Sequence, residues 1–315
     1  MPRWGGHGVV DLSGSAAAWT RRRLRVADEL RYPAADQPDG GHYDGVRTPR
    51  LVASDIDGTL LDPLERLRPR TADVIGRLSA AGVPFVLATG RSPRWVTPIS
   101  RLIGVAGPAV CVNGAVILDT RDDRVDRVYT LDPILLGDLG EALQTVLPGC
   151  GLAVERVEGE GRADFIEEFR AGPGYLHPWP ESLLIRTSVA ELFARPAVRL
   201  MVRHDSLNST EMVDAVTALL GDAVDVTFST DLGLIDLMPA GVTKASGLSE
   251  VAAGLGRTAE DVIAFGDMPN DLAMLSWAGH GVAMANAHPA VLSVADEVTA
   301  SNAEDGVAKV LERWF

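Results

Sequence analysis

The stretch from Asp55 to Leu61 constrains the fold of this chain more than any other part of it. A short, continuous apolar run at 51–54 leads into it, and such runs are typical of strands buried on both faces of a parallel sheet. Asp55 and Asp57 are two positions apart, so both carboxylates project from one side of an extended chain. Like charges this close require a cation between them or a proton on one of them. The alternative for this stretch alone is an Asp-Gly turn beside a solvated aspartate.

Strand-like apolar runs alternate with helical patterns both near this motif and towards the end of the chain. The predicted strands are 51–54, 83–88, 109–112 (continuing through 116–118), 262–265 and 281–284. The predicted helices are 71–81, 95–103, 244–255, 272–277 and 303–314. This order predicts an α/β fold with a Rossmann-like, parallel-sheet core and right-handed crossovers. Polar residues at the carboxyl ends of such strands line the cleft that binds ligands.

The pattern changes between residues 130 and 237, where strands and helices no longer alternate one for one. The predicted helices there are 133–146 and 209–220, and the predicted strands are 152–157, 163–169, 197–202, 224–229 and 233–237. We therefore predict an inserted α+β cap domain at 130–237, between the two parts of a core domain at 48–129 and 238–315. No compact charged cluster that looks catalytic is found in the cap sequence, and the scattered His204, Asp205 and Asp236 are assigned structural roles.

Residues 1–47 are rich in Gly, Pro, Asp and Arg and have no sustained period, which predicts a poorly ordered extension. The alternative is a regulatory or docking arm. The net charge of −14 argues against nucleic acid and anionic membranes as partners. No apolar run approaches the roughly 18 to 20 residues that span a bilayer. Cys111 and Cys150 do not form a disulfide framework, and they predict buried thiols in a protein of the reducing cytoplasm.

Acidic and polar residues recur at the ends of the predicted core elements. They are Asp55, Asp57, Thr89, Asp267, Asn270 and Asp271, with Lys244 at the start of a helix. Lys244 is unusual because only two of the 29 basic residues in this chain are lysines. Carboxylates that meet at one sheet edge form a hard oxygen site, which suits Mg²⁺. A hydroxyl, an amide and an ammonium group nearby suit the oxygens of a phosphoryl group.

These motifs resemble those of the haloacid dehalogenase superfamily of phosphatases. The first motif is 55–60, and Thr89-Gly90-Arg91, Lys244 and 266–271 resemble the second, third and fourth in the same order. Asn113-Gly114-Ala115, the segment 281–287 and the late residues Ser301, Asn302 and 305–307 are similar to the Cof-type branch, which carries a class IIB α/β cap. The resemblance covers about residues 50–315, and position 245 departs from it with Ala where the branch often has Gly.

The resemblance implies a role for each motif residue. Asp55 would be the nucleophile, and Asp57 would protonate the leaving group and then deprotonate water. Asp55, Asp267 and the backbone carbonyl of Asp57 would hold Mg²⁺. The phosphoryl oxygens would be bound by Thr89 in its Thr89-Gly90 turn and by Lys244. Three roles remain more open: Asn270 would bind phosphate or orient Lys244, Asp271 would support the metal or hold Lys244, and Arg91 would reach substrate or pair with a carboxylate.

The sequence and the resemblance together predict a Mg²⁺-dependent phosphatase that acts through an aspartyl-phosphate. Its partners would be small phosphorylated metabolites, with sugar phosphates favoured, and it would be a monomer or a weak homo-oligomer. The cap would cover the cleft, exclude water and contact the leaving group. Two alternatives remain open: a phosphomutase or phosphotransferase of the same superfamily, and a non-catalytic binding module.

Overall fold

The structure, a computed structural model, describes residues 42–43, 46–177 and 184–315. Nearly all of the extension predicted at 1–47 lies outside the described residues. The part of it that is described forms the two short strands β1 and β2. The strands are β1 (His42–Tyr43), β2 (Val46–Arg47), β3 (Leu51–Ser54), β4 (Phe85–Leu87), β5 (Pro108–Cys111), β6 (Val116–Asp119), β7 (Arg124–Val128), β8 (Gly151–Glu158), β9 (Ile166–Ala171), β10 (Leu184–Arg186), β11 (Arg199–Arg203), β12 (Val224–Thr227), β13 (Leu234–Pro239), β14 (Val262–Gly266), β15 (His280–Ala283) and β16 (Glu297–Val298).

The α-helices connect these strands, and several begin at residues that suit a helix N-terminus. They are α1 (Pro69–Ala80), α2 (Pro93–Ile103), α3 (Pro133–Val146), α4 (Val189–Leu192), α5 (Ser209–Leu220), α6 (Lys244–Gly254), α7 (Leu272–Trp277), α8 (Pro289–Leu292) and α9 (Gly306–Leu311). Thr243 caps α6 because its side chain accepts a hydrogen bond from the backbone N–H of Ser246. Over the described parts of the chain, no helix combines the length and the apolarity needed to cross a membrane.

The core domain is built on a five-stranded sheet with the order β16-β15-β14-β3-β4. All four pairings in this sheet are parallel, which confirms the predicted parallel core. Every residue of β3 and β14 is buried, as expected for strands covered on both faces. Because the strands run in one direction, the loops that follow β3, β4 and β14 meet at one edge of the sheet.

The third predicted strand of this sheet behaves differently. β5 is joined to the chain just after β4 by an isolated parallel bridge between Ala88 and Val110, and it pairs antiparallel with β6. The segment 116–118 therefore turns back beside β5 and does not continue past it, contrary to the prediction. The reversal occurs at Asn113 and Gly114, which have φ angles of 52° and 105°. β7 adds a third strand, so this small sheet flanks the parallel one.

The cap domain contains a six-stranded sheet with the order β10-β9-β8-β11-β13-β12. Its pairings are antiparallel except between β9 and β10, which confirms the predicted α+β architecture. Helices α3 and α5, at their predicted positions, pack with alternate residues of β8, β11 and β13 in one apolar cluster. The domain limits at 130 and 237 stay predictions, and β13 runs two residues beyond the second of them.

Candidate active site

Asp55 follows β3 directly and is held against the neighbouring strand. Its backbone N–H donates to the carbonyl oxygen of Phe265 on β14 at 3.0 Å, and the residue is buried. Three residues later, Gly58 has a φ of 74°, which lets the chain turn sharply away from the sheet. A Cβ atom at Gly58 would lie 2.1 Å from Asp267 Oδ2. The glycine therefore allows the loops after β3 and β14 to approach each other closely.

Three buried carboxylates meet at this edge, and we call Asp55, Asp267 and Asp271 the core carboxylate triad. One oxygen atom of each lies within 4.8 Å of the others. Lys244 Nζ lies 2.8 Å from Asp55 Oδ1 and 2.7 Å from Asp271 Oδ1. Lys244 is fully buried at the first position of α6, so it delivers its charge to the triad from a separate element.

Asp271 uses both of its oxygens inside the protein. Oδ1 pairs with Lys244, and Oδ2 accepts hydrogen bonds from the backbone N–H groups of Asp267 and Met268, both at 3.0 Å. Asp271 is therefore placed to hold Lys244, which is one of the two roles predicted for it. Asp267 Oδ1 accepts a hydrogen bond from Thr59 Oγ1 at 2.8 Å, which fixes the orientation of this carboxylate.

Burial is the largest influence on the pKa values of Asp55 and Asp267. Burial raises the pKa of Asp55 well above its ordinary value, although Lys244 acts to lower it. Burial and the neighbouring Asp271 raise the pKa of Asp267 to about 7. Burial alone would lower the pKa of Lys244, but the carboxylates of Asp271 and Asp55 outweigh it and raise this pKa above the ordinary value. Asp55 and Asp267 therefore have less positive charge nearby than two ionised, buried carboxylates require.

A divalent cation fits this set of donors. Three carboxylates against one ammonium group leave a formal deficit of two positive charges in a buried site. Lys244 occupies one oxygen of Asp55 and Thr59 occupies one oxygen of Asp267, so each aspartate has its other oxygen available as a ligand. Hard oxygen donors of this kind are those that Mg²⁺ takes, usually with several waters. Asp55 and Asp267 are the residues that would hold the ion.

Thr89 lies at the same edge, in the loop that follows β4. Its Oγ1 accepts a hydrogen bond from the backbone N–H of Arg91 at 3.1 Å, so the hydroxyl proton remains available to donate to a ligand. Gly90 lies close to Asn113, whose Oδ1 would be 3.1 Å from a Cβ atom at that position. The Thr89-Gly90 turn thus has a fixed shape and presents a donor beside the triad.

Asp57 and Arg91 form a bidentate ion pair at the rim of the site. Arg91 Nε donates to Asp57 Oδ2 at 2.7 Å, and Arg91 Nη2 donates to Asp57 Oδ1 at 2.5 Å. The side chain of Asp57 is 49% exposed, in contrast to the buried triad. Of the two roles left open for Arg91, the structure shows the pairing with a carboxylate. Asp57 is thus accessible to a substrate and to water.

The cap contributes charged residues that the sequence analysis did not expect. Arg199 Nη2 lies 2.8 Å from Glu155 Oε2, and Arg199 Nη1 lies 3.0 Å from Asp236 Oδ2. We call these three residues the cap charge cluster; Glu155 and Asp236 are buried, and Arg199 is partly buried. The cluster is more compact than the scattered sequence positions suggested, and the prediction that the cap holds no catalytic charged cluster, with Asp236 in a structural role, stays a prediction. His204 does have a local role, because its Nδ1 accepts hydrogen bonds from two backbone N–H groups.

The cap charge cluster escaped detection because its members are far apart in sequence. Glu155, Arg199 and Asp236 lie on β8, β11 and β13, and only the pairing register of those strands brings them to one sheet face. Thr59 was missed for a simpler reason: it lies inside the first motif but carries no charge. Asn286, whose Nδ2 donates to the carbonyl oxygen of Gly58 at 2.8 Å, lies in the late segment 281–287 that the resemblance included.

A separate cavity of about 340 Å³ lies at the opposite edge of the core sheet. Pro49, Asp261, Gly279 and His280 contribute to its walls, near the amino ends of β14 and β15. Ligands of parallel α/β sheets bind at the carboxyl ends of the strands. The location of this cavity is therefore unrelated to the converging acidic loops.

Comparison with known proteins agrees with this architecture. The model of the haloacid dehalogenase-like hydrolase family matches residues 52–311. The 5-amino-6-(5-phospho-D-ribitylamino)uracil phosphatase YitU of Bacillus subtilis is 31% identical over 284 residues, which cover 85% of this chain and 98% of that protein. The structure of BT1666, a phosphatase of the haloalkanoate (HAD) superfamily from Bacteroides thetaiotaomicron, is 26% identical with a TM-score of 0.70, covering 87% of this chain and 98% of that one. The HAD subclass IIB sugar phosphatase BT4131 shares the fold with a TM-score of 0.67 at 20% identity, covering 84% and 98% of the two chains.

The parallel core, the acidic loops at its edge and the inserted cap define a class of phosphoryl-transfer enzymes, and the chain belongs to the haloacid dehalogenase-like hydrolases. Within that superfamily it is a Cof-type phosphatase, a phosphoric monoester hydrolase with a class II cap. The family and the fold predicted from the motifs are confirmed.

Proposed function

We propose that this chain is a Mg²⁺-dependent phosphatase of small phosphorylated metabolites that works through an aspartyl-phosphate on Asp55. The observation that carries the proposal is the convergence of the core carboxylate triad on Lys244 Nζ, at 2.8 Å from Asp55 and 2.7 Å from Asp271. A buried carboxylate beside a buried ammonium group suits a nucleophile that must approach a dianion. Mg²⁺ held by Asp55, Asp267 and the backbone carbonyl of Asp57 would supply further shielding of that charge.

In the first half of the reaction, a carboxylate oxygen of Asp55 attacks phosphorus and the bond from phosphorus to the leaving oxygen breaks. Thr89 and Lys244 donate to the phosphoryl oxygens, where negative charge is spread in the transition state. Protonated Asp57 gives its proton to the leaving oxygen, so an alcohol departs. The exposed position of Asp57 at the rim supports this role because the leaving group must lie on the cap side.

In the second half, Asp57 takes a proton from water, and the water oxygen attacks phosphorus. The bond between phosphorus and Asp55 breaks, which releases inorganic phosphate and restores the carboxylate. Arg91 holds both oxygens of Asp57 in the bidentate pair and so orients this carboxylate at the rim. Asp57 must therefore turn from Arg91 to exchange a proton with the leaving group or with water.

We propose sugar and sugar-alcohol phosphates as the substrate class. YitU acts on a phosphoribityl compound by its name, and BT4131 is a sugar phosphatase. The polar cap charge cluster supports this choice, because charged and carbonyl groups suit hydroxyl-rich leaving groups better than apolar ones. A phosphomutase would use the same core residues but would return the phosphoryl group to the sugar.

The test is a comparison of wild-type protein with Asp55→Asn on a generic aryl phosphate and a panel of sugar phosphates. We expect Asp55→Asn to lower kcat by at least about 10³-fold while Tm stays close to that of the wild type, because the nucleophile is lost and its shape is kept. Asp73→Asn, at a 71% exposed carboxylate on α1, serves as the matched control and should retain full activity.

Two outcomes would overturn parts of this proposal. Near wild-type turnover by Asp55→Asn would eliminate the aspartyl-phosphate route. Transfer of the phosphoryl group to another position of the sugar, without release of inorganic phosphate, would identify a phosphomutase. Omission of divalent metal, with chelator present, should abolish turnover by the wild type.

A further inference from the structure

Asn113 occupies a turn that contacts the loop after β4, the start of α6 and Asn270 in the loop after β14. It has a left-handed φ of 52°, and its backbone N–H donates to the carbonyl oxygen of Thr89 at 3.0 Å. The preceding residue, Val112, donates to the carbonyl oxygen of Arg91 at 3.0 Å. Backbone hydrogen bonds therefore connect the Asn113 turn to Thr89 and to Arg91, the residues on either side of Gly90.

The same turn packs closely against the start of α6, the helix that carries Lys244. A Cβ atom at Gly114 would lie 2.1 Å from the carbonyl oxygen of Thr243, the residue that caps α6. A Cβ atom at Gly247 would lie 3.2 Å from the Cα atom of Gly114. Two glycines thus allow the turn and the first turns of α6 to be in direct contact. A shift of the turn would move the base of Lys244.

The side chain of Asn113 connects the core to the cap. Its Oδ1 accepts a hydrogen bond from Asn270 Nδ2 at 3.0 Å, and its Nδ2 donates to Asp236 Oδ2 at 3.1 Å. Asn113 is buried, as are both partners. One oxygen of each partner, Asn270 Oδ1 and Asp236 Oδ1, is buried without a hydrogen bond to the residues that the structure describes. The bonds to Asn113 therefore have a large part in orienting both side chains.

The cap charge cluster reaches the core at a second, adjacent point. Arg199 Nη1 donates to the carbonyl oxygen of Gly90 at 3.1 Å and also contacts Asp236. Glu155, the other carboxylate of the cluster, accepts a hydrogen bond from Ser92 Oγ. The cap is thus bonded to the loop that follows β4 and to Asn113, and both lie beside residues proposed to bind phosphate.

We infer that Asn113 is a positioning residue that orients Asn270 towards the phosphate and links this orientation to the seated cap through Asp236. The inference rests on the proposed function, because it takes Asn270 as a phosphate donor. Asn270 keeps a second amide proton for the phosphate while the first is held by Asn113. Displacement of the cap removes the partner of Asn113 Nδ2 and frees Asn113 to rotate. Phosphate binding and cap seating are thereby coupled through one side chain.

The experiment measures the Kd of inorganic phosphate by calorimetry in the presence of Mg²⁺, which needs no turnover and involves no leaving group. The variants are Asn113→Gly, which keeps the left-handed backbone and removes the side chain, Asp236→Asn, and the double variant. We expect each single variant to raise the Kd about tenfold, the effect of one charge-assisted or buried hydrogen bond. The Kd of the double variant should not exceed the larger of the two single-variant values, because the two substitutions remove the same contact.

Asp123→Gly is the matched control, since Asp123 has a φ of 55° in the turn between β6 and β7. It should leave the Kd unchanged. A lower Tm with an unchanged Kd in Asn113→Gly would show a merely structural role and overturn the inference. Independent, multiplicative effects of Asn113→Gly and Asp236→Asn would also overturn it. If the wild type hydrolyses phosphate esters while the variants bind phosphate with an unchanged Kd, the inference about Asn113 fails and the proposed function stands. If the wild type binds no phosphate, the inference and the proposed function both fail.

Discussion

Replacement of Lys244 by methionine should separate the structural from the chemical role of the buried ammonium group. Lys244 is fully buried and contacts Asp55 and Asp271 at 2.8 and 2.7 Å. Removal of one partner from a buried ion pair costs about 3 to 5 kcal/mol, because the remaining charge is left without compensation. For a protein of this size that corresponds to a fall in Tm of roughly 10 °C. Methionine preserves most of the volume, so loss of packing adds little.

The assay is urea denaturation and thermal melting in chelator at pH 7. The pKa of Lys244 is raised above its ordinary 10.5, so its stabilising effect is fully present below that pH and is lost only as the pH rises through the folded-state value. Measurement at pH 7 therefore captures the whole effect. Lys309→Met, at the other lysine of the chain and exposed on α9, is the matched control and should change stability by less than about 0.5 kcal/mol.

A second variant tests the reason for the destabilisation. Lys244→Met combined with Asp271→Asn removes one of the stranded carboxylates, so it should recover part of the lost stability and none of the activity. If Lys244→Met alone stays within about 1 kcal/mol of the wild type, the ammonium group is not compensating buried charge. Equal stability of the single and double variants would point to the same conclusion.

Two further predictions concern the cap and the loop after β3. Burial raises the pKa of Glu167 from 4.5 to about 7, so this group lowers the free energy of unfolding as the pH rises through that interval. At pH 8 the free energy of unfolding of Glu167→Gln should exceed that of the wild type by up to about 3 kcal/mol, and at pH 4 the two should be equal in urea denaturation. Gly58→Ala should abolish phosphate release, because its Cβ would overlap Asp267 Oδ2 at a φ of 74°. Gly76→Ala, in open space on α1, should retain activity and gain about 0.5 to 1 kcal/mol; equal activity of the two alanine variants would refute the steric argument.

Most of the core could be predicted because each of its signals is local. A buried parallel strand reads as a continuous apolar run, and the residues that follow it must lie at the carboxyl edge, whatever the rest of the chain does. That reasoning brings Asp55 and Asp267 to one place from the order of elements alone. It failed at β5 and β6, because a left-handed Asn113 followed by Gly114 can reverse a chain or merely bend it.

The cap charge cluster could not be predicted in the same way. Arg199 and Asp236 have apolar neighbours on their strands, as on any sheet with one helix-covered face, so nothing local distinguishes Arg199 from a solvated arginine. Only the register that pairs Arg199 with Glu155 and Met201 with Asp236 places the charges together. Register depends on the whole sheet and on its turns, which a single sequence does not specify.

The two buried clusters differ in their charge balance, and this difference separates their roles. Arg199 bonds to both carboxylates of the cap charge cluster, and Arg94 of the core lies 3.5 Å from Glu155 and 3.7 Å from Glu167, so this cluster has more positive charge per carboxylate than the core triad. Such a cluster can stay buried without a ligand and is suited to holding the cap in register with the core. Among the residues that the structure describes, Lys244 is the single basic group paired with the core carboxylate triad, so a bound cation would relieve the unfavourable charge there. That deficit makes the core cluster, and not the better-paired cap cluster, the one that would gain stability from a metal ion, as the proposed function requires.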